Sequence, residues 1–166
     1  MSSAGLTQAR MSRSYRRASR TVSADLPWVL ALTTEQRRLF RAHGQLLATR
    51  LLQHLEATDP ETAADLLREA ASGAADYGRV AAAIDLSLSQ TVEGFLRFRA
   101  PFHRELAAAA QRRGFDTREA TNLLAAAERA MDQLLVATMT GHSLQTVTAR
   151  RKAGPSIRRT SGGSGA

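Results

Sequence analysis

Cysteine, aromatic residues and long apolar runs are scarce in this sequence, and each shortage excludes a class of structure. None of the 166 residues is cysteine, so disulfides, thiolate metal sites and thiol nucleophiles are excluded. No apolar run approaches the roughly 18 residues of a membrane span. Aromatic residues make up only 5% of the chain, so a core has to be built largely from leucine and alanine. This composition predicts one soluble, cytoplasmic domain rich in helix.

The net charge of +8 is concentrated at the two ends of the chain. Residues 1–24 and 143–166 each carry five basic residues and no acid, whereas 25–142 holds thirteen arginines against fifteen acids. The composition predicts a disordered arm over 1–25 and a disordered tail over 143–166. Flexible basic ends can contact phosphates. The candidate nucleic-acid contacts are Arg13, Arg16, Arg17, Arg20, Arg150, Arg151, Lys152, Arg158 and Arg159.

The segment between the ends, residues 26–142, has the periodicity of four amphipathic helices. A short apolar segment from Leu26 to Leu30 precedes them and is expected to lie as a lid on the bundle, which gives four or five helices. Capping signals mark the helix starts. They are Thr33 with Gln36, Asp59 with Pro60, Ser87 with Gln90, and Asp116 with Glu119. The predicted helices end near Ala57, Ile84, Arg113 and Gly141, and an antiparallel bundle is the simplest fold for them.

Glycine and proline give two of these helices distinctive features. The apolar face of the second helix consists mostly of small residues and includes Gly78. It should therefore allow close approach of another helix, with a break at Gly73 or Gly78. Pro101 lies inside the third helix and is expected to kink it.

Polar residues inside the apolar stripes are the candidates for a site. Arg99 and His103 are one turn apart on the third helix, and His43, Arg50 and His54 lie along the first. One interpretation pairs Arg99 with a nearby acid, since an unpaired buried charge costs several kcal/mol. The acids considered are Asp85, Asp132 and Glu128. The other interpretation is a cationic pocket between the first and third helices for an anionic metabolite or a partner carboxylate. Aromatic residues of that candidate pocket are Tyr77, Phe95 and Phe102.

Catalysis, metal binding and cofactor binding are not predicted. His43 and His54 share a face but are eleven residues apart, about 16 Å along a helix, which is too far to chelate one ion. Ser87 and Ser89 sit where a helix cap is expected, and the sequence has no P-loop, dinucleotide or Gly-x-Ser-x-Gly pattern. The sequence thus predicts a protein that is not an enzyme, with no metal and no cofactor.

A run in the centre of the chain carries a family resemblance. The run is YGRVAAAIDLSLSQTVEGFLRFRAPFHREL, preceded by LLQHLEATDPETAADLLREAASGAADYG and followed by RRGFDTREATNLLAAAERAMDQLLVATM. It resembles the helical N-terminal sensory domain of stressosome co-antagonists of the RsbRD class. It is equally similar to a helical domain that follows excisionase-like DNA-binding modules in bacterial regulators. The resemblance covers roughly residues 26–142 and rests on small residues around Tyr77 and Gly78, then LSLS, then VEGFLRFR.

Both families imply regulation by signal sensing or partner binding, in stress response or transcription control. They normally include an output domain, but nothing in 1–25 reads as a helix-turn-helix and nothing after 142 could form a strand-rich anti-anti-sigma domain. The expectation is therefore a stand-alone sensor or interaction domain, or a fragment of a longer regulator. A regulatory protein partner and a homodimer are both expected, the dimer through apolar surface left over on the first and fourth helices. The alternative is a nucleic-acid-associated protein that binds through its arginine-rich ends.

Overall fold

The computed structural model describes Arg13 and residues 26–154, and in that part of the chain it is helical without strands. The five helices of 26–154 are α1 (Pro27–Ala31), α2 (Thr34–Glu56), α3 (Pro60–Ala83), α4 (Leu88–Arg112) and α5 (Thr117–Ala153). The all-α prediction is confirmed, and the four predicted amphipathic helices correspond to α2 to α5. None of the helices in the described residues is long and apolar enough to cross a membrane.

The predicted helix starts are confirmed atom by atom. Thr33, Ser87 and Asp116 each accept a hydrogen bond from the backbone N–H three residues on, and the side chain at that third position returns to the backbone of the cap. Asp59 caps α3 by accepting from the backbone of Thr62 at 2.8 Å, with Pro60 in the first turn. These caps satisfy amide groups that would otherwise have no partner at the helix ends.

The predicted lid is confirmed as α1. The indole Nε1 of Trp28 donates to Glu93 Oε2 on α4 at 2.9 Å. Trp28 and Leu32 join a small apolar cluster with Ala81 and Leu86, beside the main core. The lid therefore covers the end of the bundle where α3 passes into α4.

The predicted end of the last helix at Gly141 is wrong, because α5 continues to Ala153. Residues 143–153 of the predicted disordered tail are thus helical, and residues 155–166 lie outside the described residues. The helix continues through Gly141 because this glycine packs against the backbone of Ala75 on α3 instead of ending α5. The helix ends where Gly154 adopts a φ of 64°, a conformation that glycine accepts at little cost.

The closest pair of helices is α3 and α5, and they run in the same direction. Both begin at the end of the bundle where Arg113 forms an ion pair with Glu56, 2.9 Å apart. At the other end, His142 Nε2 on α5 donates to the carbonyl of Leu86, just after α3, at 2.8 Å. Consecutive helices from α2 to α5 alternate in direction, with α2 packed on α3 and α4 packed on α5.

Glycine is what allows α3 and α5 to approach. A Cβ placed on Gly78 would collide with the carbonyl of Thr138 and stand 2.9 Å from the backbone nitrogen of His142. A Cβ on Gly141 would collide with the carbonyl of Ala75 in the same way. The predicted small-residue face is confirmed, whereas the predicted break at Gly73 or Gly78 is wrong, since α3 is continuous through both. Pro101 lies inside α4, which is one helix from Leu88 to Arg112, and the kink expected there stays a prediction.

Candidate functional site

The first candidate site is a charged cluster where α4 packs on α5. The guanidinium of Arg99 pairs with Glu128, and its Nη1 lies 3.3 Å from Asp132 Oδ1. His103 Nδ1 lies 3.3 Å from the other oxygen of Glu128. The interpretation that Arg99 pairs with a nearby acid is therefore confirmed, with Glu128 and Asp132 rather than Asp85 as the partners. The cluster neutralises a partly buried cation at the helix interface.

His103 is the most constrained member of this cluster. Its side chain is 20% exposed, and its Nε2 is a buried atom without a hydrogen-bond partner in the described part of the chain. Because the carboxylate of Glu128 can only accept, Nδ1 carries the proton and Nε2 is the bare ring nitrogen. Burial, and then the nearby Arg99, lower the pKa of His103. Protonation would place an N–H where no acceptor faces it, so the folded protein favours neutral His103.

We expect the free energy of unfolding to decrease as the pH is lowered through the range where His103 titrates. The unfolded state binds the His103 proton more readily than the folded state, so the free energy of unfolding should decrease as pH drops through the ordinary histidine pKa of about 6.5. Urea unfolding of the full chain at pH 7.5 and pH 5 would measure this loss. His103→Leu should show a smaller loss than the unchanged protein, because it removes the group whose pKa the fold lowers. An equal loss with and without His103 would contradict the assignment.

The candidate residues of α2 face α3 instead of α4. Arg50 Nη1 donates to the carbonyl of Glu69 at 2.8 Å, and His54 Nδ1 donates to the carbonyl of Ala63 at 2.8 Å. His43 is half-buried on the same helix. Long polar side chains at the edge of an apolar stripe reach sideways to the nearest backbone. The structure thus does not join these residues with Arg99 and His103, and the cationic pocket predicted between the first and third helices is not formed by them.

The predicted aromatic lining belongs to the core. Tyr77, Phe95 and Phe102 are 8%, 2% and 1% exposed and lie in the main hydrophobic cluster. Tyr77 packs edge-on against Phe40 with ring centroids 5.1 Å apart, and burial raises the pKa of its phenol well above the usual range. These side chains hold the helices together and leave no aromatic wall for a ligand.

An apolar cleft does occur at the end of the bundle where α2 and α4 end. Its walls are Leu52, Leu55, Leu106, Ala109, Ala110, Phe115 and Leu123, with Glu56 and Arg113 at the edge. The Arg113 guanidinium is engaged by Glu56, so it is not presented to an anionic ligand. An antiparallel bundle, as predicted, places the ends of the first and third helices at the same end, but the sequence does not show that a cleft would form there.

Sequence reasoning expected leftover apolar surface on the fourth helix, which is α5, but it did not identify the residues that form the outer face of this helix. Four large apolar side chains on it are exposed to solvent: Val136 at 64%, Met139 at 37%, Leu144 at 58% and Val147 at 47%. At 100° per residue they lie within an arc of about 140°. The sequence does contain this pattern, because apolar residues continue at helical spacing past Gly141. The pattern is lost when the helix is predicted to end at Gly141. This row is called the α5 outer face below.

The basic candidate residues fall into two groups. Arg150, Arg151 and Lys152 are exposed in the last turn of α5, and Arg13 is also exposed. Cations at a helix C-terminus interact favourably with its dipole, which gives three of them a structural role. The other candidates lie outside the described residues: Arg16, Arg17, Arg20, Arg158 and Arg159.

Within the described residues, no group of three or more His, Cys, Asp or Glu side chains is arranged to hold a metal ion. Comparison with known proteins adds no identity, since no protein-family model, curated protein or solved structure matches the chain. The resemblance to regulator sensory domains therefore stays a prediction, and the geometry of the chain itself has to carry any functional argument.

Proposed function

We propose that this chain is a non-enzymatic protein-interaction domain of a bacterial cytoplasmic regulator and that it acts through the α5 outer face. The observation that carries the proposal is the row of four large apolar side chains, each 37–64% exposed, on a single helix. Single exposed apolar residues are ordinary, but a contiguous row marks a surface that another protein covers.

The length of α5 supports this assignment. α5 has 37 residues against 24 in α3, its closest neighbour in the bundle. At 1.5 Å per residue, α5 is about 20 Å longer than α3. Within residues 26–154, the exposed Leu144 and Val147 lie on the C-terminal part of α5, beyond the α3 contacts made by Gly141 and His142. Such a helix is suited to binding in a groove or against another helix.

The regulatory part of the proposal comes from the resemblance to sensory domains of bacterial signalling and transcription regulators. Those domains act by contacts with other proteins, which is the kind of activity that an exposed apolar helix face can support. Arg99, His103 and Glu128 interact with one another within the chain, so these three residues are assigned to stability rather than to the contact.

Capture from native extract tests the proposal. The full chain should retain a defined protein, either a second copy or another protein, at both low and high salt, and Leu144→Glu should abolish this capture. Leu30→Glu is the matched control, because Leu30 is 62% exposed but lies on α1. Capture that survives Leu144→Glu would contradict the proposal. Capture of nucleic acid alone, released by salt, would favour binding through the arginine-rich ends instead.

A further inference from the structure

We propose that two copies of this chain associate through the α5 outer face, with their α5 helices packed antiparallel over residues 132–151. The twofold axis passes between Gly141 and His142. This inference rests on the proposed function, because it names the protein that covers the α5 outer face.

The exposed row is symmetric about this axis. In an antiparallel pair related by this axis, residues whose numbers add to 283 lie opposite each other. Val136 then lies opposite Val147 of the second copy, and Met139 opposite Leu144. All four are exposed in one copy, so the pairing covers each of them with an apolar partner. A twofold interface requires this kind of self-complementary surface, in which each contact occurs twice.

Small side chains lie at the centre of this pairing. The residues nearest the axis on the exposed side are Thr140 and Ser143, and they lie opposite each other in the pair. Small side chains at a helix crossing let the two backbones approach, so the larger side chains on either side can interlock. The two helices are thus closest at Thr140 and Ser143, and the apolar contacts lie on either side of that point.

The ends of the paired segments carry opposite charges. The same pairing places Asp132 opposite Arg151 of the second copy, and by symmetry this ion pair occurs twice. The side chain of Asp132 is 65% exposed, although it also lies near Arg99, and Arg151 is exposed. In a parallel pair, the basic residues at the end of one α5 would instead lie beside the same residues of the second copy: Arg150, Arg151 and Lys152. Opposite charges therefore favour the antiparallel arrangement, and like charges disfavour the parallel one.

The pairing also covers the C-terminal part of α5. Leu144 and Val147 lie on the part of α5 beyond the α3 contacts made by Gly141 and His142. Their proposed partners, Met139 and Val136, lie on the part that packs within the bundle of the other copy. Each bundle would then cover the C-terminal part of α5 of its partner, which would explain why α5 is longer than the other helices.

Light scattering after size exclusion measures the association of the full chain over a concentration series. We expect a dimer that dissociates on dilution. Leu144→Glu should raise the dissociation constant at least about 100-fold, since each dimer carries two copies of the change. Leu30→Glu should leave it unchanged, and circular dichroism should show both variants folded. A full chain that is monomeric at every concentration would overturn the inference, as would a dimer insensitive to Leu144→Glu.

A charge swap tests the direction of the helices. Chains with Asp132→Arg face only like charges in their own antiparallel dimer, and so do chains with Arg151→Asp. Each variant alone should dimerise more weakly than the unchanged chain, while an equimolar mixture should form a mixed dimer with opposite charges at both positions. If mixing does not restore association, the antiparallel pairing is wrong.

The absence of cysteine permits a direct distance test. Chains carrying both Val136→Cys and Val147→Cys should form disulfide-linked dimers on mild oxidation, because the two positions face each other. Chains with Val136→Cys alone should not, since those positions would be about 16 Å apart along the helices, beyond disulfide reach. Efficient linking of Val136→Cys alone would show a parallel pair and overturn the inference.

These outcomes separate the two proposals. A monomeric full chain that captures a different protein through Leu144 would reject the dimer and support the proposed function. A monomer with no capture dependent on Leu144 would reject both.

Discussion

Replacing Gly78 with alanine is expected to lower the free energy of unfolding by about 3 kcal/mol. The added methyl group would collide with the carbonyl of Thr138 and lie 2.9 Å from the backbone nitrogen of His142. Both atoms belong to the backbone of α5, so no side chain can rotate away and the closest helix pair of the bundle has to separate. Alanine favours a helix over glycine by about 1 kcal/mol, which offsets only part of this cost. Urea unfolding monitored by circular dichroism measures the difference.

Gly73 provides the matched control in the same helix. It is buried like Gly78, but a Cβ there would meet only the ends of two side chains, Arg50 Nη1 at 3.3 Å and Leu47 Cδ2 at 3.6 Å. Flexible side-chain ends can move by a few tenths of an ångström. Gly73→Ala should therefore be neutral or stabilise the protein by up to about 1 kcal/mol. Equal losses at the two positions would show that close approach of α3 and α5 is not what requires Gly78.

This contrast between two glycines shows what the sequence could and could not predict. The small-residue face of α3 was visible from helical periodicity, and so was the close approach that it permits. Which helix makes the approach was not visible, because periodicity defines a face and not its neighbour. The partner contributes its own glycine, Gly141, which in sequence resembles a helix end. Only the contact with Ala75 shows that Gly141 packs against a neighbouring helix and does not end its own.

The same limit applies to the apolar surface expected on the fourth helix. A helix that ends at Gly141 leaves Leu144 and Val147 in a tail, separate from Val136, so the residues of the α5 outer face could not be grouped together. His142, which is 7% exposed and bonded to the carbonyl of Leu86, was overlooked for the same reason. By contrast, the caps at Thr33, Ser87 and Asp116 depend on residues three positions apart, and local signals of that range were read correctly.

The candidate pocket shows a related limit. Arg99 and Arg50 both lie within apolar stripes, yet one pairs with carboxylates on α5 and the other donates to a carbonyl on α3. A helical wheel cannot say toward which neighbour a long side chain turns. The acids within reach of Arg99 could be proposed from the sequence, and two of the three proposed are its partners.

Replacing Phe102 with alanine is expected to lower the free energy of unfolding by about 3 to 5 kcal/mol. The side chain is 1% exposed and belongs to the main core, with its ring centroid 6.0 Å from that of Phe98. Deleting a buried ring removes apolar contacts and leaves a cavity that rigid helices fill poorly. A loss of this size is a large part of the 5 to 15 kcal/mol that stabilises a typical domain.

Phe115→Ala is the control, because Phe115 is only half-buried beside the apolar cleft. Its ring is already partly in water, so the same substitution should cost about 1 kcal/mol. Both variants should be compared at one protein concentration, since dimerisation would make apparent stability depend on concentration. If Phe102 lined a ligand pocket instead, Phe102→Ala would cost little stability in the free protein. If Phe102→Ala lowered the free energy of unfolding only as much as Phe115→Ala, the assignment of Phe102 to the core would be contradicted. Phe102 would then again be a candidate binding residue.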